Sequence, residues 1–289
     1  MERSLDAARR WYAENLRIAA PVVHNEAVVE AFAQVPRERF CGEAPWRVYP
    51  RRLKAAPVAV PEPQPAALYH DVLVVIDEAC GINIGQPSLW AYIFDQLRIA
   101  PGHHILQVGA GTGYYTAILA DIVGPDGQVE GIELEGSLAE RAREALQPWP
   151  WASMRQGNGV EGDGPPVDVI VVCAGATHPA RGWLERLAPG GRLMVPLTTA
   201  ASWGFLLVAE RISGGFKAAS LGPCGYVHCE GARRPDEAER LQTALTSLDG
   251  RPAPVRSLHL GKPAPGTAGV WLEGEDYWLS TEPPAISGT

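Results

Sequence analysis

The sequence has no CxxC pair, no apolar run of membrane-spanning length and no excess of basic charge, and each absence removes a class of function. Its five cysteines, Cys41, Cys80, Cys173, Cys224 and Cys229, are odd in number and scattered. That argues against a zinc ribbon, a thiol-exchange motif or a disulfide scaffold, and for reduced thiols in a cytoplasmic protein. No stretch approaches the ~18 apolar residues of a membrane helix. The opening Met1-Glu2-Arg3-Ser4-Leu5-Asp6 carries acids where a secretory signal needs an apolar segment, so no membrane partner is expected. With 25 Lys+Arg against 33 Asp+Glu the net charge is −8, and the one short basic run is Arg51-Arg52-Leu53-Lys54. Such a chain has no field to concentrate nucleic acid. No repeat, heptad run or metal-ligand spacing stands out, so no metal is expected, and nothing in the sequence sets an oligomeric state. What remains is an ordinary globular composition, 289 residues and 46% hydrophobic, enough for one domain with an appendage.

The chain divides by composition. Residues 1–19 read as a helix, and Asn25 is placed to cap a second helix carrying Val28, Val29, Ala31 and Phe32 before Pro36 stops it. Pro57 to Pro65 holds four prolines in nine residues, an extended loop with fixed φ angles. Short apolar runs then alternate with amphipathic segments in the order of βαβ units. Strands are expected at His104–Val108, Gln128–Ile132, Val167–Cys173 and Arg192–Pro196. Helices are expected at Tyr114–Val123, Gly136–Leu146 and Ala180–Leu187. After Gly231 a helix is expected at Asp236–Leu248, and Val270-Trp271-Leu272 with Tyr277-Trp278-Leu279 reads as a hairpin. The division is 1–65 for the helical and proline-rich segment, 66–231 for a Rossmann-like domain, and 232–289 for a C-terminal extension.

The central motif is Ile105-Leu106-Gln107-Val108-Gly109-Ala110-Gly111-Thr112-Gly113-Tyr114, an apolar strand running into glycines and then a helix. Glycines let the backbone turn tightly and let a ligand lie on bare peptide at the strand's carboxyl end. Glu133 closes the next strand, where a carboxylate can accept hydrogen bonds from both hydroxyls of a ribose. Gln156-Gly157-Asn158-Gly159 offers an amide that can reach an adenine edge, or simply an Asn-Gly turn. Tyr114 stands where a dinucleotide fingerprint wants its third glycine, which disfavours a nicotinamide-dependent oxidoreductase. His178, beside Pro179 at a helix start, and His103 and His104, at a strand entrance, read as structural, and Trp149 and Trp151 as packing.

An ordered set of motifs resembles the protein-L-isoaspartate O-methyltransferase family: Val35-Pro36-Arg37-Glu38-Arg39-Phe40, Tyr69-His70-Asp71, Ile84-Gly85-Gln86-Pro87, Val108 to Ala120, Val129 to Glu133, and Gly175-Ala176 through Pro196. The resemblance covers roughly residues 24–231. It implies a seven-stranded Rossmann-like α/β methyltransferase sheet, bound S-adenosylmethionine, and methyl transfer to a carboxylate oxygen of isoaspartyl residues in a peptide or protein substrate. Carried over onto this chain, the cofactor contacts are Gln107, Gly109, Gly111, Thr112, Gly113, Glu133, Leu134, Asn158 and Gly159. The acceptor loop is Gly85, Gln86 and Pro87, with no obligatory catalytic group.

The chain departs from the family pattern at specific places. Gly85 stands where the family carries Ser, Gln107 where it carries an acid, and Asn158 where it carries Asp; the approach Glu78-Ala79-Cys80-Gly81-Ile82-Asn83 lacks the usual Gly-Gln-Thr. The two amides keep shape and hydrogen-bonding capacity while removing charge. Gly85 removes a hydroxyl at the acceptor, and a serine put back there is expected to raise turnover on isoaspartyl peptides. The alternatives are a methyltransferase redirected to another carboxylate, such as an Asp side chain of a peptide natural product, and a cofactor-binding protein without chemistry.

Overall fold

A computed structural model of the chain describes residues 2–18, 23–49, 56–60 and 64–284. The Arg51-Arg52-Leu53-Lys54 run and part of the proline-rich loop lie outside the described residues. In chain order the elements are α1 (Glu2–Ile18), α2 (Glu26–Gln34), β1 (Arg47–Tyr49), β2 (Val58–Ala59), β3 (Leu73–Asp77), β4 (Ile82–Ile84), α3 (Pro87–Gln96), β5 (His104–Val108), α4 (Tyr114–Val123), β6 (Gln128–Glu133) and α5 (Gly136–Ala145). They continue with β7 (Ala152–Gln156), β8 (Val167–Val172), α6 (Arg181–Arg186), β9 (Leu187–Thr198), β10 (Trp203–Ile212), β11 (Gly215–Gly225), α7 (Pro235–Thr246), β12 (Ser257–Leu260), β13 (Val270–Glu273) and β14 (Tyr277–Ser280). Among the described residues no helix is long and apolar enough to cross a membrane.

Two compact units emerge, residues 1–104 with 110–157, and residues 105–109 with 158–289. The first packs α1 to α4 around an aromatic cluster. Tyr12, Phe32, Phe40, Tyr114 and Tyr115 are buried there, and Phe32 meets Tyr114 edge-on at 6.3 Å. Asn25 caps α2 as its sequence position predicts, accepting from Ala27 N–H at 3.0 Å. The small sheet β2-β1-β3-β4 is antiparallel throughout. In the same unit β6 and β7 run parallel, Val129 opposite Ala152 and Glu133 opposite Gln156. Trp149 is buried, and the Trp151 indole donates to Ala120 O at 2.7 Å, so both tryptophans pack as the sequence suggests.

The second unit is a sheet in the order β5-β8-β9-β10-β11-β12-β14-β13. Its β5, β8 and β9 are parallel, with Ile105 opposite Val169 and Val171 opposite Met194. Val169, Ile170, Val171 and Val172 are fully buried, as parallel strands covered on both faces require. From β9 onward the strand-to-strand pairings among the described residues are antiparallel. The strand read as Arg192–Pro196 extends to Leu187–Thr198, pairing with β10 from Arg192 to Thr198 and with Val167 of β8 at Leu187. The seven strands implied by the resemblance are β5 to β11; the C-terminal extension adds three more, as β12 pairs with β11 through Leu258 opposite Phe216.

Leu258 and Leu279 face each other across β12 and β14 and are fully buried, so the extension is held by core burial. Leu279→Ala is expected to cost about 2–5 kcal/mol of stability. A denaturant midpoint unchanged from wild type would show that these strands are dispensable decoration.

Candidate functional site

The chain turns from β5 into α4 through three left-handed glycines, Gly109 at φ 75°, Gly111 at 58° and Gly113 at 88°. A residue with a Cβ is strained in that region, which is why glycine recurs. The Gly111 N–H donates to Glu133 Oε2 at 2.7 Å, and the Glu135 N–H donates to Oε1 at 3.0 Å. The acid at the end of β6 therefore holds the glycine corner through Oε2 and the turn into α5 through Oε1, and at 8% exposure it is no solvated strand end. Each carboxylate oxygen keeps a further lone pair. A Cβ at Gly111 would meet nothing within 4 Å, so the corner is open on that side, whereas one at Gly113 would press on Ala142 Cβ at 3.1 Å. Gly113 thus serves the close packing of α4 on α5. Thr112 is buried, and Leu134 stands 45% exposed beside the clamped acid.

The remaining proposed cofactor contacts sit in the second unit. Gln107 is buried, and its amide donates to Cys173 Sγ at 3.3 Å. A neutral amide there meets a thiol neighbour. The backbone continues β5 with the Cys173 N–H on Val108 O at 2.8 Å. Asn158 Oδ1 accepts from the Val160 N–H at 3.1 Å, the local turn that its sequence allows. Gly159 is required by packing, since a Cβ would come within 2.9 Å of Val108 Cγ1, and its carbonyl accepts from the Trp183 indole at 2.7 Å.

The residues expected to form the acceptor loop, Gly85, Gln86 and Pro87, belong to the first unit and are held from three directions. Asp71 Oδ1 accepts from the Ser88 N–H at 2.8 Å, while Oδ2 accepts from Ser88 Oγ at 2.8 Å and Gln86 Nε2 at 2.9 Å. Because Gln86 provides no side-chain cap, this carboxylate satisfies the start of α3 from another segment. Pro87 occupies the first turn, where its missing N–H costs nothing. Arg37, fully buried, fixes the segment carrying Asp71 by donating to Leu68 O at 2.7 Å, His70 O at 2.9 Å and Val72 O at 2.7 Å. From α4, Tyr115 Oη donates to Gly85 O at 2.7 Å.

The serine restoration expected to help runs against the packing, because a side chain at residue 85 has no space unless Trp90 shifts. A Cβ at residue 85 would fall inside the contact radius of Trp90 Nε1 and 3.1 Å from its Cδ1, and that indole is 3% exposed with no room to yield. Trp90 and Tyr115 were not legible as site residues, because only their three-dimensional approach to Gly85 marks them.

His178 is buried, with Nδ1 3.2 Å from Thr177 Oγ1. Burial, with the Arg234 charge acting the same way, pushes its pKa down to about 4. It is neutral at physiological pH and structural in its surroundings, as its sequence position suggests.

A parallel-stranded α/β sheet, a glycine corner and an acid closing the next strand define a Rossmann-like protein built to hold a nucleoside-bearing cofactor. The model of the protein-L-isoaspartate(D-aspartate) O-methyltransferase family matches residues 13–233. The chain belongs to that family. It is 30% identical over 227 residues to the protein-L-isoaspartate O-methyltransferase of Ignicoccus hospitalis, covering 77% of this chain and 97% of that one. The Methanopyrus kandleri protein of the same name is 30% identical over 237 residues, covering 80% and 95%. A solved protein-L-isoaspartate O-methyltransferase superposes with a TM-score of 0.64 at 19% identity, over 97% of this chain and 87% of that one. A Plasmodium falciparum structure described as such an enzyme, in complex with S-adenosyl-L-homocysteine, gives a TM-score of 0.59 at 19% identity, over 77% and 98%.

Two measurements test this geometry. Glu133→Gln replaces one acceptor oxygen with a donor facing a backbone N–H, and a lost charge-assisted bond is worth about 1.5–3 kcal/mol. Calorimetry should show weaker S-adenosylmethionine binding together with a lower Tm; unchanged affinity would place the ribose elsewhere. For His178, the unfolded group takes up its proton near pH 6.5 and the folded one only near about 4. Its contribution is complete above the first value and lost as pH falls toward the second. From pH 7 to 4 the Tm of wild type should fall more steeply than that of His178→Gln, and parallel curves would refute the assignment.

Proposed function

We propose that this chain is a carboxyl O-methyltransferase that esterifies isoaspartyl residues of proteins or peptides with S-adenosylmethionine. The observation that carries the reading is the Glu133 clamp. A carboxylate with one N–H on each oxygen is fixed in place and still has lone pairs for two ribose hydroxyls. The open side of Gly111 leaves space for the ligand against bare backbone. These features fit the cofactor. On this reading Gln107, Gly109, Gly111, Thr112, Gly113, Glu133, Leu134, Asn158 and Gly159 make up its contacts, and Gly85, Gln86 and Pro87 face the acceptor.

When bound, the cofactor supplies an electrophilic methyl on a sulfonium leaving group. A carboxylate is already a competent nucleophile at neutral pH, so the protein needs no general base, and alignment of the acceptor oxygen carries most of the rate. The residues are suited to that work. Asp71 fixes Gln86 and Ser88, and Tyr115 fixes the Gly85 carbonyl, so the loop is rigid before substrate arrives. His178, neutral and buried, is assigned no proton transfer.

A second reading, transfer to an ordinary Asp carboxylate, is favoured by one feature: an indole stands where the family's serine would be. The five free cysteines support a cytoplasmic location, and the charge of −8 supports a peptide rather than a nucleic-acid partner.

Incubation with methyl-labelled S-adenosylmethionine and two peptides differing only in isoaspartate or Asp at one position decides among these. Label in the isoaspartyl peptide alone is expected. Label in the Asp peptide alone would establish the redirected enzyme, and cofactor binding without label in either would leave a binding protein.

A further inference from the structure

Gly85 is gripped from two sides by residues that no motif singles out. Tyr115 lies in α4, two residues beyond the last glycine of the corner, and its hydroxyl donates to Gly85 O at 2.7 Å. Trp90 lies in α3, and its indole fills the space a side chain at 85 would occupy. The two rings also pack on each other, with centroids 4.8 Å apart and planes tilted by 31°, and Phe94 closes the cluster at 5.7 Å from Trp90 and 6.0 Å from Tyr115. Trp90 and Tyr115 are 3% and 6% exposed, so neither is free to change rotamer without moving the other.

We propose that Trp90 and Tyr115 are positioning residues that take over the work of the missing residue-85 side chain, locking the acceptor loop to the helix that follows the glycine corner. The inference rests on the methyltransferase reading and extends it. In a family where residue 85 carries a hydroxyl, that group can orient the acceptor itself. Here the loop backbone must be held in register from outside, and the only side-chain hydrogen bond to Gly85 among the described residues comes from Tyr115. One helix then serves both substrates: its first turn ends the glycine corner, and its second residue sets the acceptor loop. Glycine at 85 and tryptophan at 90 form a matched pair, because either restored side chain at 85 or the indole at 90 can occupy that volume, but not both.

The test measures methyl transfer to the isoaspartyl peptide, cofactor Kd by calorimetry, and Tm, for wild type, Tyr115→Phe, Gly85→Ser and the double variant Gly85→Ser/Trp90→Val. Tyr115→Phe should lose about two- to tenfold in kcat/KM, the range for one neutral hydrogen bond, with cofactor Kd nearly unchanged and the Tm lowered by no more than a few degrees. A purely structural tyrosine would lower Tm and leave kcat/KM alone, and that result overturns its positioning role. Gly85→Ser should lose at least about tenfold in kcat/KM and lower the Tm, as overpacking does. The double variant should recover most of both, because the indole no longer contests the space. A Gly85→Ser protein as stable and active as wild type would overturn the pairing. If wild type binds cofactor but methylates no isoaspartyl peptide, the functional reading fails on its own. The positioning claim is then decided by amide hydrogen exchange over residues 84–90, which Tyr115→Phe should accelerate, and equal protection would overturn it.

Discussion

The arrangement of the first unit depends on one buried cation. Arg37 has no solvent to lean on, so its guanidinium must find acceptors inside the protein, and it finds three carbonyls on the segment from Leu68 to Val72. Its charge also lies 5.9 Å from the centre of the Tyr12 ring and 5.7 Å from that of Tyr114, which ties it to α1 and to the helix after the glycine corner. Tyr69, in the same segment, accepts from the Arg37 N–H at 3.1 Å and from Arg9 Nε at 2.8 Å, and donates to Glu38. Satisfying one charge thus dictates the path of the backbone that presents Asp71.

From Asp71 the constraint passes to the start of α3 and so to the acceptor loop, while Tyr114 and Tyr115 tie the same region to α4. Polar groups do the aiming and aromatic packing does the holding. This division suits a reaction whose difficulty is geometric: with a good nucleophile and a good leaving group, rigidity is the main thing a protein can add.

Much of this was legible in the sequence. The strand at His104–Val108 and the helix at Tyr114–Val123 have their observed bounds, because an apolar run, three glycines and a helical pattern punctuate the chain there. The terminal hairpin was legible too, its two aromatic triplets pairing as β13 and β14. The helix α3 was hidden, since Gln86-Pro87 opens it and reads first as a loop. The long strands β10 and β11 were hidden because their burial alternates irregularly and Gly222-Pro223 breaks the run. At the site, Glu133 was legible as an acid at the right corner, but its two backbone partners were not. Nor was the occupied space beside Gly85, which depends on a contact five residues away in sequence and on the rotamer of an indole. Spacing reveals which residues share a motif; it does not reveal what already fills the room next to them.

Asn158-Gly159 has a further consequence in terms of chemical ageing. An asparagine followed by glycine is the dipeptide most prone to cyclise to a succinimide and reopen as isoaspartate, because the glycine nitrogen can swing onto the side-chain carbonyl. Here that carbonyl oxygen accepts from the Val160 N–H, the Gly159 carbonyl accepts from the Trp183 indole, and the Gly159 α-carbon packs against Val108. Ring closure needs the backbone at Asn158-Gly159 to rotate, and the packing on Val108 with the bond from Trp183 resists that rotation, so the fold slows in its own backbone the lesion that its family is named for acting upon.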